Sequence, residues 1–304
     1  MSRPLSGVVA RMLRLRSGGV GLVLVLVVVL TAFVGPFVAP HSSTAFVGMA
    51  FAHPSPRYPF GTDVLGRDTL SRVLSGGWRI LVMSMVATVL GVSTGAMFGI
   101  TAGYSKGVTD DAIMRTADVL MAFPQLILAL LFISLIGPKL WLVTVLVGAI
   151  HAPQVARVFR GATLRVAAED FVRHAESLGI ATWRIVLREI LPNVTTPLMV
   201  ELGLRLAYSV TLIAGLSFLG FGVQPPTADW GSMINENRIG LMASPWPVLI
   251  PILLIALMTI GMNLLTDDLA RLMQGRGRRA DTAPLDDAPS AAGPEMMVTG
   301  GALR

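Results

Sequence analysis

The chain has 304 residues, of which 53% are hydrophobic and 14% are charged, and its net charge is +6. Soluble domains carry about 25% charged residues, so a chain this apolar lacks the polar surface of a water-soluble fold, and we expect an integral membrane protein. It contains no cysteine, which excludes disulfides, thiolate chemistry and cysteine-ligated metals.

Six apolar stretches each approach the roughly 20 helical residues that cross ~30 Å of hydrocarbon. They predict transmembrane helices at residues 20–39, 80–104, 119–136, 140–156, 197–221 and 248–265. We see no internal repeat among them. The predicted fold is an all-α integral membrane protein with six transmembrane helices.

The first stretch follows Arg11, Arg14 and Arg16, as the apolar core of a signal peptide follows basic residues. It is longer than the ~7–15 residues of such a core, and Pro40 stands where a cleavage site would have small residues. We therefore favour an uncleaved anchor over a signal peptide.

The lysines and arginines of the loops predict the orientation. Seventeen lie on the side of the N-terminus and five on the opposite side, which places both termini in the cytoplasm. The basic charge reflects topology, and no nucleic acid is needed to explain it. The predicted divisions are a cytoplasmic N-terminus (1–18), an anchor with an outer segment (19–78), a five-helix transmembrane domain (79–268) and a disordered tail (275–304).

The longest cytoplasmic loop, residues 157–192, has the pattern of two short amphipathic helices. In the first helix the spacing predicts one apolar stripe, formed by Leu164, Ala168, Phe171, Val172, Ala175 and Leu178. Gly179 suits a left-handed C-terminal cap. The second would begin at Thr182 as N-cap and end at Pro192, with an apolar face of Trp183, Val186, Leu187, Ile190 and Leu191. Such a hairpin either rests on lipid headgroups or fills a groove on a soluble partner.

This loop resembles the EAA motif of bacterial ABC importer permeases, in which Glu-Ala-Ala is followed after three residues by Gly and later by Leu-Pro-Asn. The corresponding residues here are Arg173-His174-Ala175, Gly179 and Leu191-Pro192-Asn193. The glycine and the Leu-Pro keep the family spacing, whereas Arg173 replaces the glutamate and His174 the first alanine. Glu176, near Arg173 on the same helical face, is expected to replace part of the missing charge.

Three further stretches resemble the dipeptide, oligopeptide and nickel branch of that family. PFGTDVLGRDTLSRVL, residues 59–74, is similar to the sequence that follows the first span. Gly61 and Gly66 allow tight turns there, and Asp68 can cap a short helix. That helix either lies at the outer membrane surface or contacts a partner.

The other two stretches lie later in the chain. LSFLGFGVQPPTADWGSMI, residues 216–234, is similar to an outer loop of the branch, and Pro225-Pro226 is expected to stop its helix. DDAIMRTADVLMAFPQLILAL, residues 110–130, is a weaker match in which Phe123-Pro124-Gln125 predicts a kink.

The resemblance implies a type I ABC importer permease, the second or C-type subunit, in the bacterial inner membrane. It implies four kinds of contact: a homologous second permease, two cytoplasmic ATPase subunits, an external substrate-binding protein and membrane lipid. The residues it assigns to ATPase coupling are Phe171, Arg173, His174, Ala175, Glu176, Leu178, Gly179, Leu191 and Pro192.

No catalytic, metal or cofactor site is expected in this chain. The sequence contains no G-x-x-x-x-G-K-[ST], H-E-x-x-H or G-x-S-x-G pattern, and its four histidines are scattered. The resemblance implies that the partner ATPases bind ATP and magnesium.

Charged residues are scarce within the predicted spans. Glu201 and Arg205, four residues apart, lie on one helical face and form either an ion pair near the inner boundary or part of a substrate path. In the second case Tyr208 and Ser209 would add hydrogen bonds. His151 is expected to be a packing residue rather than a ligand.

A secondary transporter and an intramembrane enzyme are the alternatives to an importer permease. The first usually shows ionisable groups or broken helices at the midplane in two related halves, and the second needs a catalytic constellation. For the substrate, the sequence favours peptides over nickel because no metal ligands cluster in it.

Overall fold

The computed structural model describes residues 16–105 and 107–281. Within those ranges the chain is helical, with isolated β-bridges as its only strand-like contacts. The helices are α1 (Arg16–Val38), α2 (Thr69–Ser75), α3 (Trp78–Ser105), α4 (Gly107–Met121), α5 (Gln125–Ile136), α6 (Leu140–Val166), α7 (Asp170–Ser177), α8 (Thr182–Ile185), α9 (Leu191–Asn193), α10 (Thr195–Phe218), α11 (Trp230–Asn237) and α12 (Trp246–Asp281). A π-helical segment, Val186–Ile190, joins α8 to α9, and a 3-10 turn, Arg238–Gly240, follows α11.

The all-α membrane fold is confirmed, but the third predicted span is not one straight helix. Five helical segments are long and apolar enough to cross a membrane, and α4 with α5 makes a sixth only as a pair bent by 85°. The 12 residues of α5 rise about 18 Å at 1.5 Å per residue, which is too short for a span. The span predicted at 119–136 therefore joined parts of two helices.

The bend lies at Pro124, where the sequence predicted a kink. Proline has no backbone N–H and restricts the preceding residue to extended conformations, so a helix tends to end before it. Pro124 itself has a ψ of 125° and is the N-cap of α5. The position of the kink is confirmed, whereas the 85° change of direction was not predicted.

The most closely packed helices of the bundle are α3 and α6. Four glycines at intervals of four residues line the face of α3 toward α6: Gly91, Gly95, Gly99 and Gly103. A Cβ atom at Gly91 would stand 2.6 Å from the carbonyl oxygen of Gly148, and one at Gly95 would stand 2.6 Å from that of Ala152. Only glycine permits this approach of the two backbones, as in other small-residue packing of membrane helices.

At the edge of the bundle, α1 packs against α12. A Cβ atom at Gly21 or at Gly261 would stand 2.9 Å from the carbonyl oxygen of the other glycine. The Ser17 hydroxyl donates to the Asp268 carboxylate at 2.8 Å. The beginning of α1 and the later part of α12 therefore lie on the same side of the bundle.

The last helix is longer than the sequence suggested. It reaches Asp281, so the prediction of a disordered tail from residue 275 is wrong for residues 275–281. Arginine and alanine favour helix, and their presence after Gly275 lets a preformed helix continue. Residues 1–15 and 282–304 lie outside the described residues, and the predictions for them stay predictions.

α10 ends earlier than predicted, at Phe218. Gly220 adopts a φ of 87°, and the N–H groups of Gly220 and Phe221 donate to the carbonyl oxygens of Ser217 and Leu216. This left-handed closure terminates the helix before the predicted stop at Pro225-Pro226.

The turn residues predicted between α1 and α3 have the expected conformations. Gly61 and Gly66 have φ values of 69° and 73°, and the Asp68 carboxylate accepts the N–H of Ser71 at 3.1 Å as the N-cap of α2.

Buried ion pairs fasten this outer segment to α11. Arg67 lies 2.6 Å from Asp63 and 2.6 Å from Glu236, and Arg72 lies 3.0 Å from the same Glu236 oxygen. Both arginines are almost completely buried. The network therefore joins the stretch 59–74 to Glu236, two residues beyond the stretch 216–234, and gives α2 a structural role.

Candidate functional site

The hairpin, residues 171–193, lies where α6 ends and α10 begins. α7 forms its first arm, and α8, the π-helical segment and α9 form its second. Between the arms Gly179 has a φ of 70°, and the N–H of Ile180 donates to the carbonyl oxygen of Ala175 at 3.2 Å. The predicted left-handed turn at Gly179 is confirmed.

One face of the hairpin is buried against the transmembrane helices. Val172 and Ala175 of the first arm, and Ile185 and Ile190 of the second, belong to one apolar cluster with Phe159 of α6 and residues of α3. Leu191 is partly buried at the edge of this cluster. Burial of these side chains fixes the hairpin on the ends of α3 and α6.

Other apolar residues of the hairpin face away from the bundle. Trp183 is 59% exposed and Leu178 is 66% exposed, and Phe171 and Leu187 are also exposed. The prediction of a single stripe in each arm is therefore wrong. Val172 and Ala175 point inward, whereas Phe171 and Leu178 lie on the flank of α7, turned about 80° from them at 100° per residue. We call Phe171, Leu178, Trp183 and Leu187 the outer apolar face.

The second arm also differs from its predicted ends. Ala181, not Thr182, is the N-cap, and it makes no side-chain hydrogen bond. Pro192 does not end the arm, because the chain passes through the π-helical segment and α9 into α10. A proline ring clashes with the carbonyl group four residues earlier. The wider π turn, in which the N–H of Leu191 donates to the carbonyl oxygen of Val186, makes room for the ring of Pro192.

The charged residues of the first arm do not pair with one another. Glu176 accepts a hydrogen bond from the hydroxyl of Tyr104, on α3, at 2.8 Å. Arg173 makes no ion pair with any described residue, and both Arg173 and His174 are exposed. Tyr104 lies 72 positions before Glu176, so only the fold could reveal this partner. Gly179 and Pro192 are exposed as well.

Glu201 and Arg205 form the predicted ion pair within α10, at 2.8 Å. Glu201 is 5% exposed. Arg205 also donates to Gln154 of α6 and lies 5.5 Å from the ring of Tyr208, which is 54% exposed. Gln154 was not predicted as a partner of Arg205, although it lies three residues after the buried His151.

Ser209 does not lie beside Tyr208 on the exposed surface. It is completely buried and its hydroxyl bonds to His151 at 3.0 Å and to Thr88 at 3.0 Å. Adjacent residues of a helix are turned by 100°, so Ser209 faces the core when Tyr208 faces outward. Ser209 therefore does not share the exposed face of Tyr208, and its place on a substrate path stays a prediction. His151 is a buried packing residue, as predicted.

Comparison with known proteins agrees with this architecture. Residues 95–276 match the family described as the binding-protein-dependent transport system inner membrane component. The chain is 37% identical over 267 residues to a Brucella suis protein named as a peptide transport system permease, covering 88% of this chain and 90% of the relative. It is 35% identical over 247 residues to the glutathione transport system permease proteins of Pectobacterium atrosepticum and of Escherichia coli strain 536, covering 81% of this chain and 82% of each relative. The chain therefore belongs to the family of inner membrane components of binding-protein-dependent transport systems.

Proposed function

We propose that the chain is one permease subunit of an ATP-driven importer of peptides, and that the hairpin is where ATPase subunits dock. The outer apolar face carries this proposal. Apolar side chains on a rigid helical hairpin at the end of a membrane bundle match the mode in which a helix fills a groove on another protein.

Lipid headgroups are the weaker occupant for this surface. A hairpin that lies in the membrane interface turns its apolar face toward the acyl chains. Here the inward apolar residues, among them Val172 and Ile190, are already covered by α3 and α6. Trp183 and Leu178 face away from those helices, and a groove on a protein outside the membrane would cover them.

The proposed complex contains a homologous second permease, two cytoplasmic ATPase subunits and an external binding protein. ATP and magnesium would be held by the ATPases, so this chain would need no cofactor and perform no catalysis. ATP binding would close the ATPase pair and move the hairpins, and the bundle would then open to the other side.

We propose that both termini and the hairpin lie in the cytoplasm. The excess of basic residues on that side supports this orientation. The hydrogen bond between Ser17 and Asp268 supports it as well, since it joins the beginning of α1 to the second half of α12.

Peptides are the substrate class that the relatives favour. Two kinds of relative are named as permeases of peptide or glutathione transport systems, and glutathione is itself a tripeptide. In this chain, the exposed Tyr208 with Arg205 beside its ring is the part of the predicted path that a peptide would be able to reach.

Co-purification tests the docking proposal. The tagged chain, expressed with its ATPase and permease partners, is purified in mild detergent as wild type, Gly179→Asp and Gly161→Asp, and the bound ATPase activity is measured. Asp at Gly179 strains the left-handed turn and extends toward the partner, since no described residue other than its chain neighbours has an atom within 4 Å of its Cβ position. Gly161 is equally open but helical, which makes it the matched control.

We expect the wild type and Gly161→Asp to retain the ATPase and Gly179→Asp to lose most of it while remaining in the membrane. If the wild type purifies alone and stable under every mild condition, the importer proposal fails and a self-contained transporter must be considered.

A further inference from the structure

Tyr104 and Glu176 form the one side-chain hydrogen bond that joins the hairpin to α3 or α6 among the described residues. The Tyr104 hydroxyl donates to the Glu176 carboxylate at 2.8 Å. Hydrogen bonds to a charged acceptor are directional and about twice as strong as neutral ones. In the described ranges no ion pair involves a residue of the hairpin.

The remaining contacts between the hairpin and the two helices are apolar. Val172 and Ala175 rest on a surface that includes Ile100 and Phe159, and the ring of Tyr104 packs at its edge. Apolar contacts resist separation, but they are not directional and allow one surface to slide along another. A directional bond beside them fixes the register.

The element that receives this bond is rigid. α3 is locked to α6 along the glycine positions from Gly91 to Gly103, where the backbones touch. Tyr104 directly follows the last of these glycines. A displacement of the hairpin that is transmitted to Tyr104 would therefore move α3 and α6 together. If α7 instead slid along α3, neither helix would move.

We infer that Tyr104 and Glu176 are a positioning pair, which holds α7 in register on α3 so that ATPase-driven movement of the hairpin reaches the α3–α6 pair. This inference rests on the proposed function. It also gives a role to Glu176 in a chain that has Arg173 where the family motif has glutamate: Glu176 bonds to α3, whereas Arg173 is exposed.

The experiment measures register directly, by the distance between two spin labels. The chain has no cysteine, so labels attach only to cysteines introduced at Ser177, which is exposed on α7, and at Val89, which is exposed on α3. About 22 Å of helix separates Val89 from Tyr104. Distances are recorded in the full complex, assembled with cysteine-free partners, with ADP and with ATP plus vanadate, and the ATPase rate is recorded in parallel.

Four forms are compared in this labelled background: the parent, Tyr104→Phe, Glu176→Gln and Tyr58→Phe. Tyr104→Phe removes the hydroxyl and keeps the ring. Glu176→Gln keeps an oxygen that accepts the same bond. Tyr58→Phe is the matched control, because it removes one tyrosine hydroxyl bond, to the carbonyl of Val47, on the outer segment.

We expect the parent, Glu176→Gln and Tyr58→Phe to keep the same narrow distance distribution with both nucleotides. Tyr104→Phe should match them with ADP but shift by about 2 Å or more with ATP plus vanadate, the scale of known helix displacements, while its ATPase rate stays within about twofold of the parent. A merely structural hydroxyl would change the distribution equally with both nucleotides.

An unchanged distance in Tyr104→Phe with ATP plus vanadate would overturn the inference while the proposed function stands. The same shift in Tyr58→Phe would also overturn it, since the effect would then not belong to this contact. Absence of bound ATPase in the parent complex would overturn the proposed function itself, and the inference with it.

Discussion

The indole nitrogen of Trp230 donates a hydrogen bond to the carbonyl oxygen of Val73 at 2.9 Å, between residues 157 positions apart. Trp230 is completely buried. Its ring lies on the backbone at Gly77, where a Cβ atom would overlap the ring. α11 is thus fastened to the junction of α2 and α3, next to the ion pair between Arg72 and Glu236.

Replacing Trp230 by Phe should therefore destabilise the outer segment. Phe keeps an aromatic ring but leaves the carbonyl of Val73 with only the longer bond from the N–H of Gly76, at 3.3 Å. It also leaves part of the indole volume empty, and the two losses together cost about 1–3 kcal/mol. The midpoint of thermal unfolding in detergent measures this loss. Trp183→Phe, at an exposed tryptophan, is the control and should leave the midpoint unchanged.

Gly95→Ala should destabilise the bundle although alanine is the better helix former. The new methyl group would stand 2.6 Å from the carbonyl oxygen of Ala152, so α3 and α6 must separate, at a cost of about 1–3 kcal/mol. Gly215→Ala is the matched control, because its nearest atom would be 3.9 Å away. Equal thermal midpoints for the two variants would contradict the close packing of α3 on α6.

Much of this architecture could be predicted because its causes are local. The length of the apolar stretches predicted the spans. Pro124 predicted the position of the bend, and Gly179 predicted the turn of the hairpin. The four-residue spacing from Gly91 to Gly103 was equally visible in the sequence and could have indicated the contact with α6. The partner helix, however, cannot be read from that spacing.

The contacts that could not be predicted join residues distant in the chain. Glu176 was expected to replace part of the charge missing at Arg173, three residues away, and the fold adds Tyr104 as its hydrogen-bond partner. Ser209 was assigned to the same surface as Tyr208, but α6 and α3 supply His151 and Thr88 as its partners. The helical spacing of residues predicts which of them share a face. The residues that this face contacts are determined by the packing of the helices in the fold.

The ion pair of Glu201 and Arg205 can be tested as a unit. Arg205→Met leaves the buried Glu201 without its cation, and breaking such a pair costs about 3–5 kcal/mol. The double variant Glu201→Gln/Arg205→Met carries no unpaired charge and should recover most of the thermal stability. If the single and double variants are equally unstable, the two side chains do not act as a pair.

The same double variant separates a structural role from a place on the substrate path. If it is stable and still imports labelled glutathione or tripeptides as the wild type does, the pair is structural. Loss of uptake with unchanged stability would support the proposed path beside Tyr208.

The outer segment should also be less stable at neutral pH than in mild acid, because of Asp229. Burial raises the pKa of the Asp229 carboxyl from 3.8 to about 6, against the hydrogen bond from the N–H of Ser232 and the charge of Arg79, which lower it. The folded state then holds a proton that the unfolded state has released. Stability is full below about pH 4 and falls as the pH rises to about 6, by up to about 3 kcal/mol.

Asp229→Asn should remove this contribution to the pH dependence, since an amide does not titrate and can still accept the N–H of Ser232. Thermal midpoints at intervals from pH 4 to pH 7 measure the slope. Asp267→Asn, at an exposed carboxylate of α12, is the control and should keep the slope of the wild type. If the thermal midpoint of the wild type does not decrease as the pH is raised from 4 to 6, burial does not raise the pKa of the Asp229 carboxyl.

Alanine substitutions at two apolar residues of the second arm should lower different quantities: the amount of bound ATPase in one case and the thermal stability in the other. Trp183 is 59% exposed and Ile185 is 1% exposed, although only one residue separates them. Trp183→Ala should lower the amount of bound ATPase at least tenfold, as truncation of an aromatic anchor does at protein interfaces, and leave the thermal midpoint of the isolated chain unchanged. Ile185→Ala should lower that midpoint through a loss of about 2–5 kcal/mol. If Trp183→Ala binds the ATPase as the wild type does, the outer apolar face is not the docking surface, whatever the stability of the hairpin.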